Sequence, residues 1–316
     1  MNRNTNEILA TRRAYTDLSS SGLIAIRGAD AVTFLQGQFT NDARKLGQHR
    51  AQYSGICSPK GRLLSNFLLW QHGDTIYLQL PMALQTFLLK RLSMYVLRSK
   101  VQLAEVAAQW LRVGVAGEEA AHVVETLMGT APTEDMSVIE NGTAAVIRLA
   151  TDRFQINVPA AEAGEFLAKV DASAESIDLD LWHWLEIRAG IPIIVPATQD
   201  QFVPQMVNFD LTNSVDFQKG CYTGQEIVAR TQYLGKLKRR MYLVHSDAEM
   251  AAGDEIFSPE MEGQASGMVV NAHVSPAGGW DALAVVQISS ALSQPLHVKA
   301  PEGALLTLGQ LPYAVA

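Results

Sequence analysis

The sequence predicts an α+β fold, laid out as two successive units of strands and helices and closed by a smaller all-β domain. Three observations carry that prediction. Between residues 22 and 170, short period-two runs alternate with stretches whose apolar residues recur at helical spacing. A comparable order of strands and helices returns in the second half of that span, as a duplicated design would give, although identity between the halves is too low to show the duplication. From about residue 238 onward the texture changes to six short alternating runs separated by Gly, Pro and Asp, the pattern of a small barrel or sandwich. At 316 residues, with 48% hydrophobic and 18% charged side chains, the chain exceeds one ordinary core and is globular rather than disordered.

The elements follow in order. "GLIAIRGADAVTFLQGQFTNDARKL" reads as a strand over 22–27, a turn and a helix that Asp30 can cap, with Val32, Phe34, Leu35 and Phe39 on its apolar face. Three strands over 50–57, 62–70 and 74–80 are joined by Pro-Lys-Gly and His-Gly-Asp turns, which makes an antiparallel meander. "PMALQTFLLKRLSMYVL" starts a helix on proline, and "KVQLAEVA" returns to alternation. The second round has "QWLRVGVAG", a helix over 118–128, strands over 144–149 and 153–158, and a helix over 161–170. A further helix over 179–188 ends at Gly190 and Pro192. Next comes the irregular stretch "VPATQDQFVPQMVNFDLTNSVDFQ", too long for a plain connection and too apolar for disorder, which leads straight into "QKGCYTGQEIVAR".

Bulk properties exclude several classes. The net charge of −7 argues against a broad nucleic-acid footprint, and the run Lys236 to Arg240 reads as the solvated edge of a strand. No direct nucleic-acid partner is expected. The polar opening 22 residues lack the apolar centre of a leader, and no run of about eighteen apolar residues follows, so a cytoplasmic protein without a membrane partner is expected. Phosphate-loop, dinucleotide, zincin and nucleophile-elbow patterns are missing from the sequence. Two cysteines, Cys57 and Cys221, form neither a disulfide framework nor a closely spaced ligand set. A conventional iron–sulfur cluster takes four ligands, mostly thiolates, so this chain would not hold one alone. His183, between Trp182 and Trp184, reads as a packed or surface residue, and the tryptophans as core.

The chemistry concentrates at Cys221. A helix beginning near Thr223 or Gly224, with Thr223 as N-cap and Glu226 at capping-box spacing, places the thiol just before a helix N-terminus. The partial positive charge there, with Lys219 two residues away, would favour thiolate. Gly220 and Gly224 allow close backbone approach. On this local chemistry a reactive thiol and a small packed hydrophobe are both open readings.

"KGCYTGQE" closely resembles the signature of the YgfZ family, folate-binding proteins linked to iron–sulfur cluster maintenance and related to the glycine-cleavage T-protein, an aminomethyltransferase. "FLQGQFTND", "CSPKGRLLSNF", "RAGIP", "QFVPQMVNFD" and "LPY" agree in order and spacing, so the resemblance spans nearly the whole chain. It implies two T-protein-like α+β folate-binding units around a central cavity within residues 1–236, the second unit at roughly 108–175, and a C-terminal β-barrel over 237–316. A tetrahydrofolate-type ligand is implied in the cavity, with iron–sulfur enzymes or assembly proteins as partners and tRNA thiomethylation as an indirect outcome. On this basis Cys221 is expected to be the reactive thiol, or a transient iron–sulfur ligand, and Lys219 its tuning partner. Asn41, Arg188, Asn208, Asp210, Gly220, Tyr222, Gly224, Gln225 and Glu226 are expected to shape the folate site.

Two departures bear on activity. The T-protein has a pair of aspartates where this chain has Ser65 and Asn66, neither of which does carboxylate work at neutral pH, so aminomethyl transfer is not expected. Its Glu-Ala-Gly is here Arg188-Ala189-Gly190, which replaces an acceptor for pterin N–H groups with a donor; Arg188 could instead meet a ligand carboxylate, Glu186 or Asp210. The alternatives are a folate-dependent one-carbon transferase on an acceptor other than the lipoyl protein, and a binding module with an inert thiol.

Overall fold

The computed structural model of the protein describes residues 13–315; the first twelve residues of the polar opening segment lie outside them. The chain gathers into two compact units. One runs to Leu35 and takes in Ala43–Tyr53 and Phe67–Trp182; the other takes Gln36–Asp42, Ser54–Asn66 and the chain from His183 onward.

The first unit is α+β. A six-stranded sheet runs in the order Glu175–Ser176, Ala14–Asp17, Trp110–Ala116, Arg153–Pro159, Ala144–Ala150, Val138–Asn141. Helices Ala120–Met128 and Ala163–Ser173 cover it, burying Val123, Val124 and Val170 against Val113, Val115, Phe154 and Ile156. Gly114 sits mid-strand because the Trp182 ring lies there: an added Cβ would come within 2.7 Å of it. Trp182 is therefore core, as its spacing predicted. A second, five-stranded sheet has the order Gln52–Cys57, Leu63–His72, Thr75–Leu80, Gly22–Arg27, Gln102–Glu105. Its first two strands continue along the chain into the other unit. The predicted meander and the helices match these elements to within a few residues. The strands Ala14–Asp17, Val138–Asn141 and Glu175–Ser176 are additional to the sequence reading.

The second unit is organised on the barrel. Six antiparallel strands close in the order Arg239–Ser246, Trp280–Gln287, Ala265–Val274, Glu255–Phe257, Leu296–Val298, Ala304–Leu308. Val244, Ile256, Val269, Ala282, Ala284 and Val286 fill it, small residues alternating with branched ones as a narrow barrel requires. The barrel alternative was thus the right one of the two the strand spacing left open. Helix Leu179–Arg188 coincides with its predicted bounds and ends at Gly190, whose φ of +69° is left-handed. Trp184 donates from Nε1 to Asp281 Oδ2 at 2.7 Å, and His183 stacks on His273 with ring centres 4.9 Å apart, so these residues pack the helix on the barrel. Among the described residues no helix is long and apolar enough to cross a membrane.

Candidate functional site

The motif is built on segments far apart in sequence but inside the second unit. Gln36–Asp42 forms the first support. Phe39, fully buried, bridges to Ile56, and Thr40 is held from both sides: its amide donates to the Gly55 carbonyl at 2.9 Å and its hydroxyl to the Ser214 carbonyl at 2.8 Å. Asn41 is committed to the same turn. Its amide donates to Ser54 Oγ at 3.1 Å, its Nδ2 to the Asn213 carbonyl at 2.7 Å, and its Oδ1 accepts from the Asp42 amide at 2.9 Å.

Over this support lies Gln218–Gly224. The Asp216 amide donates to the Thr40 carbonyl at 3.0 Å, and Asp216 Oδ1 accepts from the Gln218 amide at 2.7 Å, which turns the chain inward. Lys219 is buried, and its Nζ donates to the carbonyls of Gln36 at 2.7 Å and Phe39 at 2.5 Å. The same ammonium sits 4.6 Å from the centre of the Tyr222 ring, a cation–π contact. Tyr222 is buried too; desolvation, and then the nearby Cys57 thiol, push its phenol up from the ordinary value. Between these two anchors Cys221 is exposed, whereas Cys57 is fully buried. Of the two cysteines the structure presents Cys221 to solvent and packs Cys57 as a small hydrophobe.

The helix after the motif runs Gln225–Tyr233 and differs from the prediction at its start. Gly224 is the N-cap, at φ +83° and ψ 0°, and no side chain caps the end, so the Thr223–Glu226 capping box does not form. The reason is packing. An added Cβ on Gly224 would lie 2.3 Å from the Ser58 carbonyl and 2.9 Å from Gly61 Cα, so the chain enters the helix pressed against the Ser58–Gly61 turn. Gly220, by contrast, has nothing within 4 Å of an added Cβ. Glu226 is exposed in the first turn, and Gln225 is half-buried with its amide donating to the Tyr222 carbonyl at 3.2 Å. Gly235 does act in the stop, its amide and that of Leu234 both donating to the Arg230 carbonyl.

The long irregular stretch supplies the other wall. Gln205 Nε2 donates to the Val228 carbonyl at 2.8 Å and ties the stretch to the motif helix. Asn208 is fully buried with a left-handed φ of +61°; its Nδ2 donates to the Met241 carbonyl at 2.9 Å. Its Oδ1 and the Oε1 of Gln205 are buried acceptors with no hydrogen-bond partner among the described residues. Such acceptors are costly unless something donates to them. Asp210 is taken by a bidentate pair with Arg240, at 2.6 and 2.8 Å, while Arg240 Nη1 also donates to the Gln205 carbonyl at 2.9 Å. Arg188 therefore does not have Asp210 as its ion-pair partner, nor Glu186, which pairs with His183 at 2.9 Å; it is exposed, with its guanidinium 5.9 Å from the Trp184 ring centre.

Asn66, expected from the resemblance to stand where the T-protein has a carboxylate, has both amide ends in use. Nδ2 donates to the Pro192 carbonyl at 2.6 Å and Oδ1 accepts from the Ile194 amide at 2.8 Å. Ser65 is fully buried, its hydroxyl 3.3 Å from the Asn66 carbonyl. The arrangement thus offers an exposed thiol on an anchored loop and, in the irregular stretch tied to the following helix, buried acceptors without a partner among the described residues; Ser65 and Asn66 are neutral. Sequence reading missed Ser54 and Asn213 and quoted Thr40 only as part of "FLQGQFTND"; their roles arise from contacts across long sequence separations. Among the described residues no group of three or more His, Cys, Asp or Glu side chains is placed to hold a metal ion.

Residues 2–148 match the family model of the GCVT N-terminal domain. The chain is similar to the tRNA-modifying protein YgfZ of Yersinia pseudotuberculosis serotype O:1b, at 31% identity over 304 residues, covering 95% of this chain and 92% of that protein. The tRNA-modifying protein YgfZ of Yersinia enterocolitica serotype O:8 is 31% identical over 303 residues, covering 94% and 92%. Among solved structures, the glycine cleavage system aminomethyltransferase T from Bartonella henselae superposes with a TM-score of 0.76 at 19% identity, covering 97% of this chain and 88% of that one. That likeness establishes a T-protein-like fold.

Proposed function

The chain belongs to the YgfZ family, and from that premise we propose that it is a cytoplasmic tetrahydrofolate-binding accessory protein that supports assembly or repair of iron–sulfur enzymes, among them those that thiomethylate tRNA. The observation that carries the reading is the anchoring of Cys221: an exposed thiol held between two buried side chains, Lys219 and Tyr222. A merely structural cysteine would be expected inside, as Cys57 is.

Unsatisfied polar atoms are what fit a folate here. Buried Asn208 Oδ1 and Gln205 Oε1 lack donors among the described residues, and a pterin's amino and ring N–H groups are donors. Asn208 and Gln205 would hold that ring, with Asn41, Tyr222, Gly220, Gly224, Gln225 and Glu226 shaping the loop and helix start around it. Asp210, neutralised by Arg240, and Arg188, stacked on Trp184, contribute by positioning. A bound tetrahydrofolate supplies one-carbon and reducing chemistry; the protein's own part is to bind it and present Cys221 to a partner. Lys219 acts as a fixed positive charge behind the loop, since its protons serve main-chain carbonyls. Aminomethyl transfer finds no carboxylate at Ser65 or Asn66 to serve it. Residues 1–236 are proposed as the folate-binding region and 237–316 as the barrel domain.

The test is complementation in a strain lacking the native gene, with thiomethylated adenosine in tRNA measured by mass spectrometry. Cys221→Ser is expected to abolish the restored modification while leaving the protein folded and abundant. Full restoration by Cys221→Ser would overturn the thiol's role.

A further inference from the structure

The Lys236 to Arg240 run, read in the sequence as a solvated strand edge, is divided by the barrel. Strand alternation sends neighbouring residues to opposite faces. Arg240 turns to the irregular stretch and is neutralised there by Asp210. Arg239 faces the other way, into a pocket of about 190 Å³ lined by Arg62, Phe202, Met206, Arg239, Glu255 and Met268. Arg239 is half-buried as a residue, and its guanidinium has no hydrogen-bond or ion-pair partner among the described residues. Arg62 reaches the same pocket. Its Nη1 donates to the Gln201 carbonyl at 2.7 Å, with the Asp200 carbonyl at 3.4 Å, which orients the guanidinium and leaves Nε and Nη2 without a partner among the described residues. The backbone beneath is fixed, because the Leu63 amide donates to the Phe202 carbonyl and the Asp200 amide to the Leu63 carbonyl, each at 2.8 Å.

Two guanidinium forks lining one concavity, one of them without a partner among the described residues, make a receptor for an oxyanion. We propose that this pocket binds a phosphate group, either free or carried on a nucleotide chain. The volume has room for one tetrahedral oxyanion with the first atoms of its carrier. A phosphate accepts bidentately from each arginine, and the apolar floor of Phe202, Met206 and Met268 lowers the local dielectric and strengthens both contacts. Glu255, an exposed residue of the same lining, opposes the anion and tunes the affinity down. The proposal stands apart from the folate reading and from Cys221.

Isothermal titration of the full-length protein with inorganic phosphate, and fluorescence anisotropy with a single-stranded RNA oligonucleotide, at matched ionic strength, test it. Saturable binding is expected, weakened about tenfold or more by Arg239→Ala and by Arg62→Ala. Glu255→Gln, an exposed change that spares the fold, is expected to tighten phosphate about threefold. Loss of both probes in Arg239→Ala assigns the phosphate to a nucleotide chain, whereas loss of phosphate with no RNA binding assigns it to a free or small phosphate. Absence of saturable binding to both probes, binding that both arginine variants leave unchanged, or a correctly folded Glu255→Gln with unaltered affinity, overturns the proposal.

Discussion

Lys219 illustrates how a residue that reads as chemical from sequence can be structural in its contacts. Its ammonium is buried and donates to two main-chain carbonyls, so Lys219→Met removes a donor from each and uncovers the Tyr222 ring. A loss of about 2–4 kcal/mol is expected in urea denaturation. Asn66 makes the complementary case. Asn66→Asp would introduce the carboxylate that the resemblance to the T-protein expects here, but would set it against the Pro192 carbonyl now served by Nδ2. That variant is expected to lose about 2–4 kcal/mol and to gain no aminomethyl transfer, measured by denaturation and by a lipoyl-protein assay. The neutrality of this position was legible in the sequence. Its reason, an amide that needs both a donor and an acceptor end, was not, because Pro192 and Ile194 are far along the chain.

At the scale of the element, the motif's two glycines should behave differently. Gly224 caps its helix in a left-handed conformation with the Ser58 carbonyl 2.3 Å from where a Cβ would be, so Gly224→Ala combines backbone strain with a clash and should cost about 2–4 kcal/mol. Gly220 has open space and no left-handed φ, so Gly220→Ala should change stability by less than about 0.5 kcal/mol. Melting temperatures of the two variants check both. The helix itself was legible from Ile227, Val228 and the Gly235 stop. Its cap was misread because Thr223 fits a local capping rule, while the packing of Gly224 on Ser58 and Gly61 is a long-range contact that wins. The six barrel strands were legible because each alternates and each turn carries Gly, Pro or Asp. Ala14–Asp17 was not, since four mixed residues become a strand only by pairing with Trp110–Ala116.

Across the molecule, stretches that carried the family resemblance separately converge in space. The hydroxyl of Tyr313, from "LPY", donates to the Gly190 carbonyl of "RAGIP" at 2.9 Å, and a Cβ on Gly190 would strike the same ring at 2.7 Å. Burial raises the Tyr313 phenol from 10.0 to about 12. The folded state therefore keeps that proton longer than the unfolded chain does, so its contribution is complete below pH 10 and is lost as pH rises toward about 12. Arg112, lowered to about 10 by desolvation, acts in the same window with opposite sign, so the difference between wild type and Tyr313→Phe isolates the phenol. Tyr313→Phe is expected to be less stable than wild type at neutral pH, with the gap narrowing between pH 10 and 12, as followed by chemical denaturation. In the proposed function Cys221 works together with a bound folate. The most direct measurement is its rate of alkylation by iodoacetamide, read by mass spectrometry with and without tetrahydrofolate, with buried Cys57 as internal reference. Tetrahydrofolate is expected to bind and to slow Cys221 alkylation several-fold while Cys57 stays unmodified; an unchanged Cys221 rate with folate bound, or no folate binding at all, would contradict it.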